Sequence, residues 1–323
     1  MDALDHRLLD EFQRNFPLVP QPFAVVGAAL GVAEAEVIAS LTRLQTAGTV
    51  ARVGGTVRPN TAGASTLAAL AVPEARIEAV AGLVNDEDGV NHSYLREDEW
   101  NLWFVATAPD ASGLQASLER IAARTGLRVL SLPLLRAFNI DLGFRLTGAR
   151  AALTTDVAHD ETALRPDDRP LLQIMSAGLP VVARPFADVA ATLGWTEAQV
   201  LDRLQSLSTA RILTRIGVIV RHRAIGWAAN AMVVWDVAAQ DMETAGRSLA
   251  ALPGVTLCYQ RQTVPGLWRH GLFSMIHGQS RADALTVLDA ARALPALTHT
   301  DHRVLFSTRC FKQTGALLER TAA

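Results

Sequence analysis

Three side chains that could do chemistry alternate along one short segment of the chain. His92, Tyr94 and Arg96 stand two residues apart within Val90–Phe104. In a β-strand, residues two apart share a face, so this spacing places an imidazole, a phenol and a guanidinium side by side. A polar turn and the apolar run Leu102–Ala108 follow, which predicts a β-hairpin. The row is too polar for an ordinary core, and we interpret it as one wall of a pocket for an anionic ligand.

The chain also repeats itself, at a constant shift of 163 positions that takes Asp5 to Asp168. Further along, Gly89–Arg96 matches Gly254–Arg261 with two extra residues, so the sequence is a tandem duplication. In this second copy Leu257 stands where the first copy has His92, and the two halves therefore cannot be chemically equivalent. The residues that repeat the phenol and the guanidinium are Tyr259 and Arg261.

Each half begins with three short helical patterns and a glycine-containing β segment, which is the plan of a winged helix-turn-helix. In the first half, Val50–Arg58 carries Gly54 and Gly55, a pair that suits a tight hairpin. The helices that precede it are predicted over Leu4–Arg14, Phe23–Leu30 and Glu34–Gln45.

The remainder of each half alternates in the order βαββαβ, which is ferredoxin-like. The last strands of the two halves are predicted over Val129–Leu134 and His299–Phe306. We therefore predict an α+β fold, a tandem repeat of a winged helix-turn-helix and a ferredoxin-like domain. The predicted boundaries are 1–60 and 61–146 for the first pair, 147–164 for a linker, and 165–226 and 227–323 for the second pair.

Composition excludes several classes of protein. The net charge of −2 provides no global basic field to attract nucleic acid or an anionic membrane. The most apolar run, Ala224–Trp235, is interrupted by Asn230 and falls short of the ~20 residues that span a bilayer. Cys258 and Cys310 have neither metal-ligand nor haem-attachment spacing. Because the acidic N-terminus is also unlike a secretory signal, we expect a cytoplasmic protein without membrane association.

A winged helix followed by a βαββαβ domain resembles the Lrp/AsnC family. More specific segments resemble one branch of it, the sirohaem decarboxylases of d1-type haem and alternative haem biosynthesis, in the form where both subunits share one polypeptide. These segments include Phe16–Phe23, Arg58–Pro73, Val90–Phe104, Leu132–Phe144, Arg215–Trp235 and Val304–Lys312.

The resemblance implies removal of carbon dioxide from the acetate groups at C12 and C18 of sirohaem, which gives 12,18-didecarboxysirohaem. Each carboxylate is replaced by a proton, so the resemblance implies no added cofactor and no metal site; the substrate carries its own iron. It also implies a homodimer and a second, related pair of decarboxylase subunits as partners.

The candidate residues suit a flat, apolar macrocycle ringed by carboxylates. His92 is our candidate general acid because a histidine is readily protonated near neutral pH. Tyr94 would orient the carboxylate or donate a proton, and Arg96 would hold a carboxylate. His277 is expected to be a second acid or an axial neighbour of the iron. The predicted substrate-binding set is Arg52, Arg58, Arg215, Arg221, His222, Tyr259, Arg261 and His277, with Arg223 also in the basic cluster of the wings.

Two other function classes stay open. A transcription regulator would use the winged helices on DNA, but the third helix of each half sums to a charge of −1, which argues against phosphate binding. A haem-binding sensor would share the pocket and the arginines without needing a proton donor. The sequence also leaves open which half holds the productive pocket, and whether the halves pair within one chain or across a dimer.

Overall fold

The computed structural model describes residues 1–140 and 159–319. Most of the predicted linker, residues 147–158, and the end of the first ferredoxin-like domain, 141–146, lie outside the described residues. The described part has the predicted α+β architecture in both halves.

Each winged-helix domain packs three short helices against one strand. A proline opens the second helix of each domain, where its missing N–H costs nothing, and a left-handed glycine, Gly31 or Gly194, ends it. The two domains share one hydrophobic core. The elements are α1 (Ala3–Glu11), α2 (Pro22–Leu30), α3 (Glu34–Thr46) and β1 (Val50–Val57), then α6 (Asp168–Ala177), α7 (Pro185–Leu193), α8 (Glu197–Thr209) and β6 (Leu213–Val220).

The predicted wing hairpin is wrong. The strand β1 runs straight through Gly54 and Gly55 and pairs antiparallel with β6 of the other half, with Gly54 opposite Gly217. The glycines serve close packing rather than a turn. A Cβ on Gly54 would lie 2.5 Å from the carbonyl oxygen of Met175, and one on Gly55 would lie 2.7 Å from Cδ1 of Leu213.

The ferredoxin-like domains have the predicted βαββαβ order, with four strands and two helices each. The first contains β2 (Ala64–Leu70), α4 (Ile77–Asn85), β3 (Val90–Arg96), β4 (Leu102–Ala108), α5 (Ala111–Thr125) and β5 (Leu130–Ile140). The second contains β7 (Ala229–Trp235), α9 (Met242–Ala251), β8 (Val255–Arg261), β9 (Leu272–Gly278), α10 (Arg281–Arg292) and β10 (His302–Gln313).

The two sheets close into a single barrel in the order β10-β3-β4-β2-β5-β8-β9-β7. Closure requires β5 and β10 to run past their predicted ends, because their second portions pair with β8 and β3 of the opposite half. At these seams Cys310 lies opposite Tyr94, and Ala137 lies opposite Tyr259. The halves therefore pair within one chain.

The barrel interior is a shared apolar core in which Trp103 of the first half meets Trp268 and Phe273 of the second. The ring centroids of the two tryptophans lie 5.3 Å apart. The helices cover the outer faces and form separate cores. Among the described residues no single helix is long and apolar enough to cross a membrane; α2 and α3 meet that test only as a pair, which is bent by 100°.

Candidate active site

The alternation along β3 places His92, Tyr94 and Arg96 together, facing the second half of the chain. The rings of His92 and Tyr94 are stacked with centroids 6.4 Å apart. The guanidinium carbon of Arg96 lies 5.5 Å from the centre of the Tyr94 ring. The sequence-based prediction of one shared face is therefore confirmed.

Arg96 is buried, with 6% of its surface exposed, and no described carboxylate pairs with it. Its Nη1 donates to Oδ1 of Asn230 at 3.1 Å and to the carbonyl oxygen of Leu305 at 3.0 Å, both in the second half. Its Nε lacks a described acceptor. Burial lowers its pKa to about 10. A buried cation with an unused N–H is suited to bind an anion.

Two histidines of the second half complete this cluster. His222 begins a short 3₁₀ turn after β6, and His277 lies near the end of β9. Their rings meet edge-to-face with centroids 4.8 Å apart. Both are buried, and Nε2 and Nδ1 of His277 lie 2.8 Å and 2.9 Å from Asn230 and Thr256.

His92 and His222 are neutral at physiological pH. Burial, followed by the charges of Arg52 and His222, lowers the pKa of His92 to about 4. Burial, followed by Arg223 and Arg96, lowers the pKa of His222 to about 4. We expected His92 to be protonated near neutral pH, and this is wrong for the free protein because the ring is desolvated among cations.

The phenol of Tyr94 lies between a thiol and two guanidinium groups. Cys310 lies opposite it on the seam strand β10, and Sγ of Cys310 donates to the carbonyl oxygen of Lys312 at 3.7 Å. Burial raises the pKa of Tyr94. Arg223 approaches from the turn after β6, and its Nη2 donates to the carbonyl oxygen and Oγ of Ser307 at 2.8 and 3.0 Å. Its Nε also lacks a described acceptor.

Besides Arg223, the structure brings one more of the predicted wing arginines, Arg52, to this cluster. It is close enough to His92 to lower the pKa of that imidazole, and its Nε lacks a described acceptor. Arg58 and Arg215 are instead bound to backbone carbonyls, with Nε donating to Arg211 at 3.3 Å and to Gln13 at 2.6 Å.

Arg221 is exposed, and its Nη1 donates to the carbonyl oxygen of Gly48 at 3.0 Å. Its charge acts on Cys310 at the edge of the cluster. Burial raises the pKa of that thiol, and the charge of Arg221 partly offsets this rise. The basic cluster of the wings therefore contributes Arg52 and Arg223 directly, while Arg58, Arg215 and Arg221 bind backbone carbonyls.

Tyr259 and Arg261 form a second, simpler pair related by the duplication. The guanidinium carbon of Arg261 lies 5.3 Å from the Tyr259 ring centre, and its Nη1 donates to Leu132 at 3.0 Å, as Arg96 does to Leu305. Leu257 stands here in place of His92. The cross-strand pair Ser65–Thr107 occupies the register that Asn230–His277 occupies in the other sheet. Tyr94 and Arg96 therefore have imidazoles around them, whereas the positions that correspond to His92 and His277 around Tyr259 and Arg261 are Leu257 and Thr107.

Sequence reasoning missed Asn230, Thr256 and Cys310 as members of the cluster. Asn230 carried a signal, since it was the polar residue that interrupted the most apolar run. Cys310 gave none, because strand pairing between the halves places it there. Thr256 gave none either, because it lies at an irregularity in the pairing of β8 with β9. In the described part of the chain, no group of three or more His, Cys, Asp or Glu is arranged to hold a metal ion.

Comparisons with known proteins agree with this architecture. A model of the AsnC-like ligand binding domain matches residues 62–139 and 224–312. A model described as "Siroheme decarboxylase NirDL-like HTH domain" matches residues 5–50 and 168–213. The matches repeat in the two halves, as the duplication requires.

Full-length relatives and a solved structure are also similar. A protein named "Siroheme decarboxylase NirDL subunit" from Paracoccus denitrificans (strain Pd 1222) is 60% identical over all of this chain and 99% of its own length. A siroheme decarboxylase from Hydrogenobacter thermophilus is 32% identical over 95% of this chain and 92% of its own. A crystal structure of the siroheme decarboxylase NirDL has a TM-score of 0.69 and 28% identity, covering 97% of this chain and 94% of its own. The chain therefore belongs to the sirohaem decarboxylase family, in its NirDL form.

Proposed function

We propose that this chain removes carbon dioxide from the C12 and C18 acetate groups of sirohaem and yields 12,18-didecarboxysirohaem, as a carboxy-lyase. One observation carries the proposal: Arg52, Arg96 and Arg223 surround buried neutral imidazoles, and each has an Nε without a described acceptor. A similar structure, of the siroheme decarboxylase NirDL, was solved in co-complex with an iron-uroporphyrin III analogue. A carboxylated iron tetrapyrrole fits such a set of cations.

The arginines supply binding. A buried N–H without an acceptor costs about 1–3 kcal/mol, and more when the group is charged, so each Nε that meets a carboxylate on binding regains that cost. The planar guanidinium fork pairs both oxygens of a carboxylate and keeps its charge. We assign these arginines to the carboxylates that stay on the ring. Pairing the reacting carboxylate tightly would stabilise the ground state and slow its loss.

The reaction itself needs a proton. The bond between the acetate methylene and its carboxylate carbon breaks, carbon dioxide leaves, and the electron pair stays on the methylene carbon, where the macrocycle delocalises it. That carbon then takes one proton and becomes a methyl group. Atoms and charge balance without an oxidant or reductant.

Substrate binding would convert the neutral histidines into proton donors. His92 and His222 have pKa values of about 4 in the free protein, so both are neutral at physiological pH. Nearby carboxylates favour the protonated imidazole, and an anionic ring placed beside these histidines raises both pKa values. His92 would then act as general acid, with His222 as the second proton carrier. Tyr94, which is neutral because burial raises its pKa, would orient the leaving carboxylate by donating a hydrogen bond.

Both decarboxylations are assigned to one site, the imidazole cluster of His92, Tyr94, Arg96, His222 and His277. At the duplicated pair Tyr259–Arg261, Leu257 replaces His92, and Ser65–Thr107 replaces Asn230–His277. Shorter relatives carry the names NirD, NirL and NirH subunits; the NirD protein of Stutzerimonas stutzeri is 51% identical over 45% of this chain and 96% of its own. We include in the proposal a cytoplasmic homodimer that works with a second, related subunit pair.

The test is anaerobic incubation of the purified chain with sirohaem, followed by mass spectrometry. We expect a mass loss of two carbon dioxide units, abolished in His92→Gln while sirohaem still binds by absorbance titration. The exposed His299→Gln is the matched control and should react like the parent chain. Sirohaem returned intact by the parent protein, both alone and together with the second subunit pair, contradicts the proposed activity. Unchanged turnover by His92→Gln removes that residue from the role.

A further inference from the structure

Asn230 joins two members of the imidazole cluster, Arg96 and His277, that the proposed chemistry treats separately. It is buried on β7, with 4% of its surface exposed. Its Oδ1 accepts from Nη1 of Arg96 at 3.1 Å, and its Nδ2 lies 2.8 Å from Nε2 of His277. On the far side of the imidazole, Nδ1 of His277 lies 2.9 Å from Oγ1 of Thr256.

The donors and acceptors in this row have only one consistent order. A guanidinium only donates, so the amide oxygen of Asn230 must face Arg96 and the amide nitrogen must face His277. An amide nitrogen only donates, so Nε2 of His277 is the acceptor. The hydroxyl of Thr256 donates to the carbonyl oxygen of Met275 at 3.1 Å, so it accepts from His277. Nδ1 of His277 therefore carries the hydrogen.

We infer that Asn230 is a positioning residue that fixes His277 as the neutral Nδ1–H tautomer and couples it to the carboxylate-binding Arg96. This inference rests on the proposed function for its catalytic consequence. The held ring of His277 then orients His222, whose ring meets it edge-to-face at 4.8 Å. His277 would thus serve as a fixed support for a proton carrier rather than as the second acid that we expected from the sequence.

The duplication provides an internal comparison. In the first sheet, Ser65 faces Thr107 in the register that Asn230 and His277 share in the second. The hydroxyl of Thr107 donates to the carbonyl oxygen of Gly89 at 3.2 Å, and it accepts from the amide N–H of Leu317 at 2.9 Å and from Nδ2 of Asn91 at 3.5 Å. Among the described residues, the row that runs from a guanidinium through an amide to an imidazole therefore belongs to the imidazole cluster and has no counterpart at the duplicated pair, which ties it to chemistry rather than to the fold.

Nitrogen-15 NMR of histidine tautomers tests the inference without requiring activity. We expect the His277 ring, assigned by its loss in His277→Gln, to show a protonated Nδ1 and an unprotonated Nε2. Asn230→Asp keeps an acceptor for Arg96 but faces Nε2 with an acceptor, so a proton should appear on Nε2. Thr256→Val removes the acceptor for Nδ1 and should mix the tautomers. Ser65→Ala is the matched control and should change nothing.

Kinetics separate this inference from the proposed function. Asn230→Asp should lower kcat by about 10- to 100-fold, as the loss of groups that orient site residues typically does. It should also raise KM, because its carboxylate competes with the carboxylates of the substrate for Arg96. A protonated Nε2 in the parent protein overturns the inference, whether or not sirohaem is decarboxylated. The expected tautomer in a protein that leaves sirohaem intact supports the positioning role and contradicts only the proposed activity. An unchanged spectrum in Asn230→Asp also overturns the inference.

Discussion

Acid should destabilise this protein through its buried histidines, and His92 gives the effect a magnitude. Its pKa is 6.5 in an unfolded chain and about 4 in the folded protein. Above pH 6.5 both states hold the neutral ring and the group contributes no pH dependence. As the pH falls from 6.5 toward 4, the unfolded chain binds a proton that the folded protein rejects, so stability is lost over that window. At about 1.4 kcal/mol per pKa unit, the full loss is about 3 kcal/mol.

His92→Gln removes this penalty. At pH 7.5 the variant should be slightly less stable than the parent, because Nδ1 of His92 no longer donates to Oδ1 of Asn91, a bond of 2.8 Å. Near pH 4.5 the variant should be the more stable of the two proteins. Between pH 7.5 and pH 4.5, the difference in their free energies of unfolding should shift by about 2–3 kcal/mol in favour of the variant.

Urea unfolding, followed by tryptophan fluorescence at a series of pH values, measures this change. His299→Gln is the control, because it removes an exposed imidazole and should leave the pH dependence unaltered. Parallel stability curves for the parent and His92→Gln between pH 7.5 and 4.5 would refute the reasoning. They would mean that His92 is not held neutral by burial among cations.

Three further predictions concern residues of the winged helices and a cysteine beside the imidazole cluster. Asp168→Ala leaves the buried Arg203 without its carboxylate partner and should lower the free energy of unfolding in urea by about 3–5 kcal/mol; a loss below about 1 kcal/mol contradicts this. Arg215→Met should cost about 1–3 kcal/mol and leave sirohaem affinity unchanged, because Arg215 binds backbone carbonyls; weaker binding contradicts its structural role. Iodoacetamide, followed by peptide mass spectrometry, should label the half-buried Cys310 before the buried Cys258, and bound sirohaem should slow this labelling. Equal labelling of Cys310 with and without sirohaem would place the ligand elsewhere.

The structure also explains why DNA binding is not the proposed function. On α3, the guanidinium of Arg43 donates to the buried carboxylate of Asp5. Burial would raise the pKa of Asp5, but hydrogen bonds from Arg43 and Ser40 outweigh it and lower that pKa. On α8, Arg203 is paired with buried Asp168 in the same way. These cations of the third helices are therefore engaged within their own domains.

Local patterns in the sequence were sufficient for most of the fold. The duplication, the three-helix starts and the βαββαβ order each depend on residues close in sequence. The predicted wing hairpin was wrong because Gly54 and Gly55 fit a tight turn as well as they fit a closely packed strand. The close approach of Met175 in the fold shows why these residues are glycines. The extra lengths of β5 and β10 were invisible because their partners belong to the other half.

The candidate site divides in the same way. His92, Tyr94 and Arg96 lie on one strand, so their alternation was enough to group them. Their distant partners were not predictable from the sequence. A wing arginine has the same sequence pattern whether it lies beside His92, as Arg52 does, or binds a backbone carbonyl, as Arg215 does. Protonation was also out of reach, since the pKa of an imidazole depends on burial and on neighbours that only the fold supplies.

We propose that the tetrapyrrole binds at the imidazole cluster, which is built from both halves of the chain. The most direct measurement is a crystal structure of this chain with sirohaem bound under anaerobic conditions. The account predicts the macrocycle beside His92 and His222, with ring carboxylates on Nε of Arg52, Arg96 or Arg223. A macrocycle seated beside Tyr259 and Arg261, with His92 packed away from it, would contradict the account.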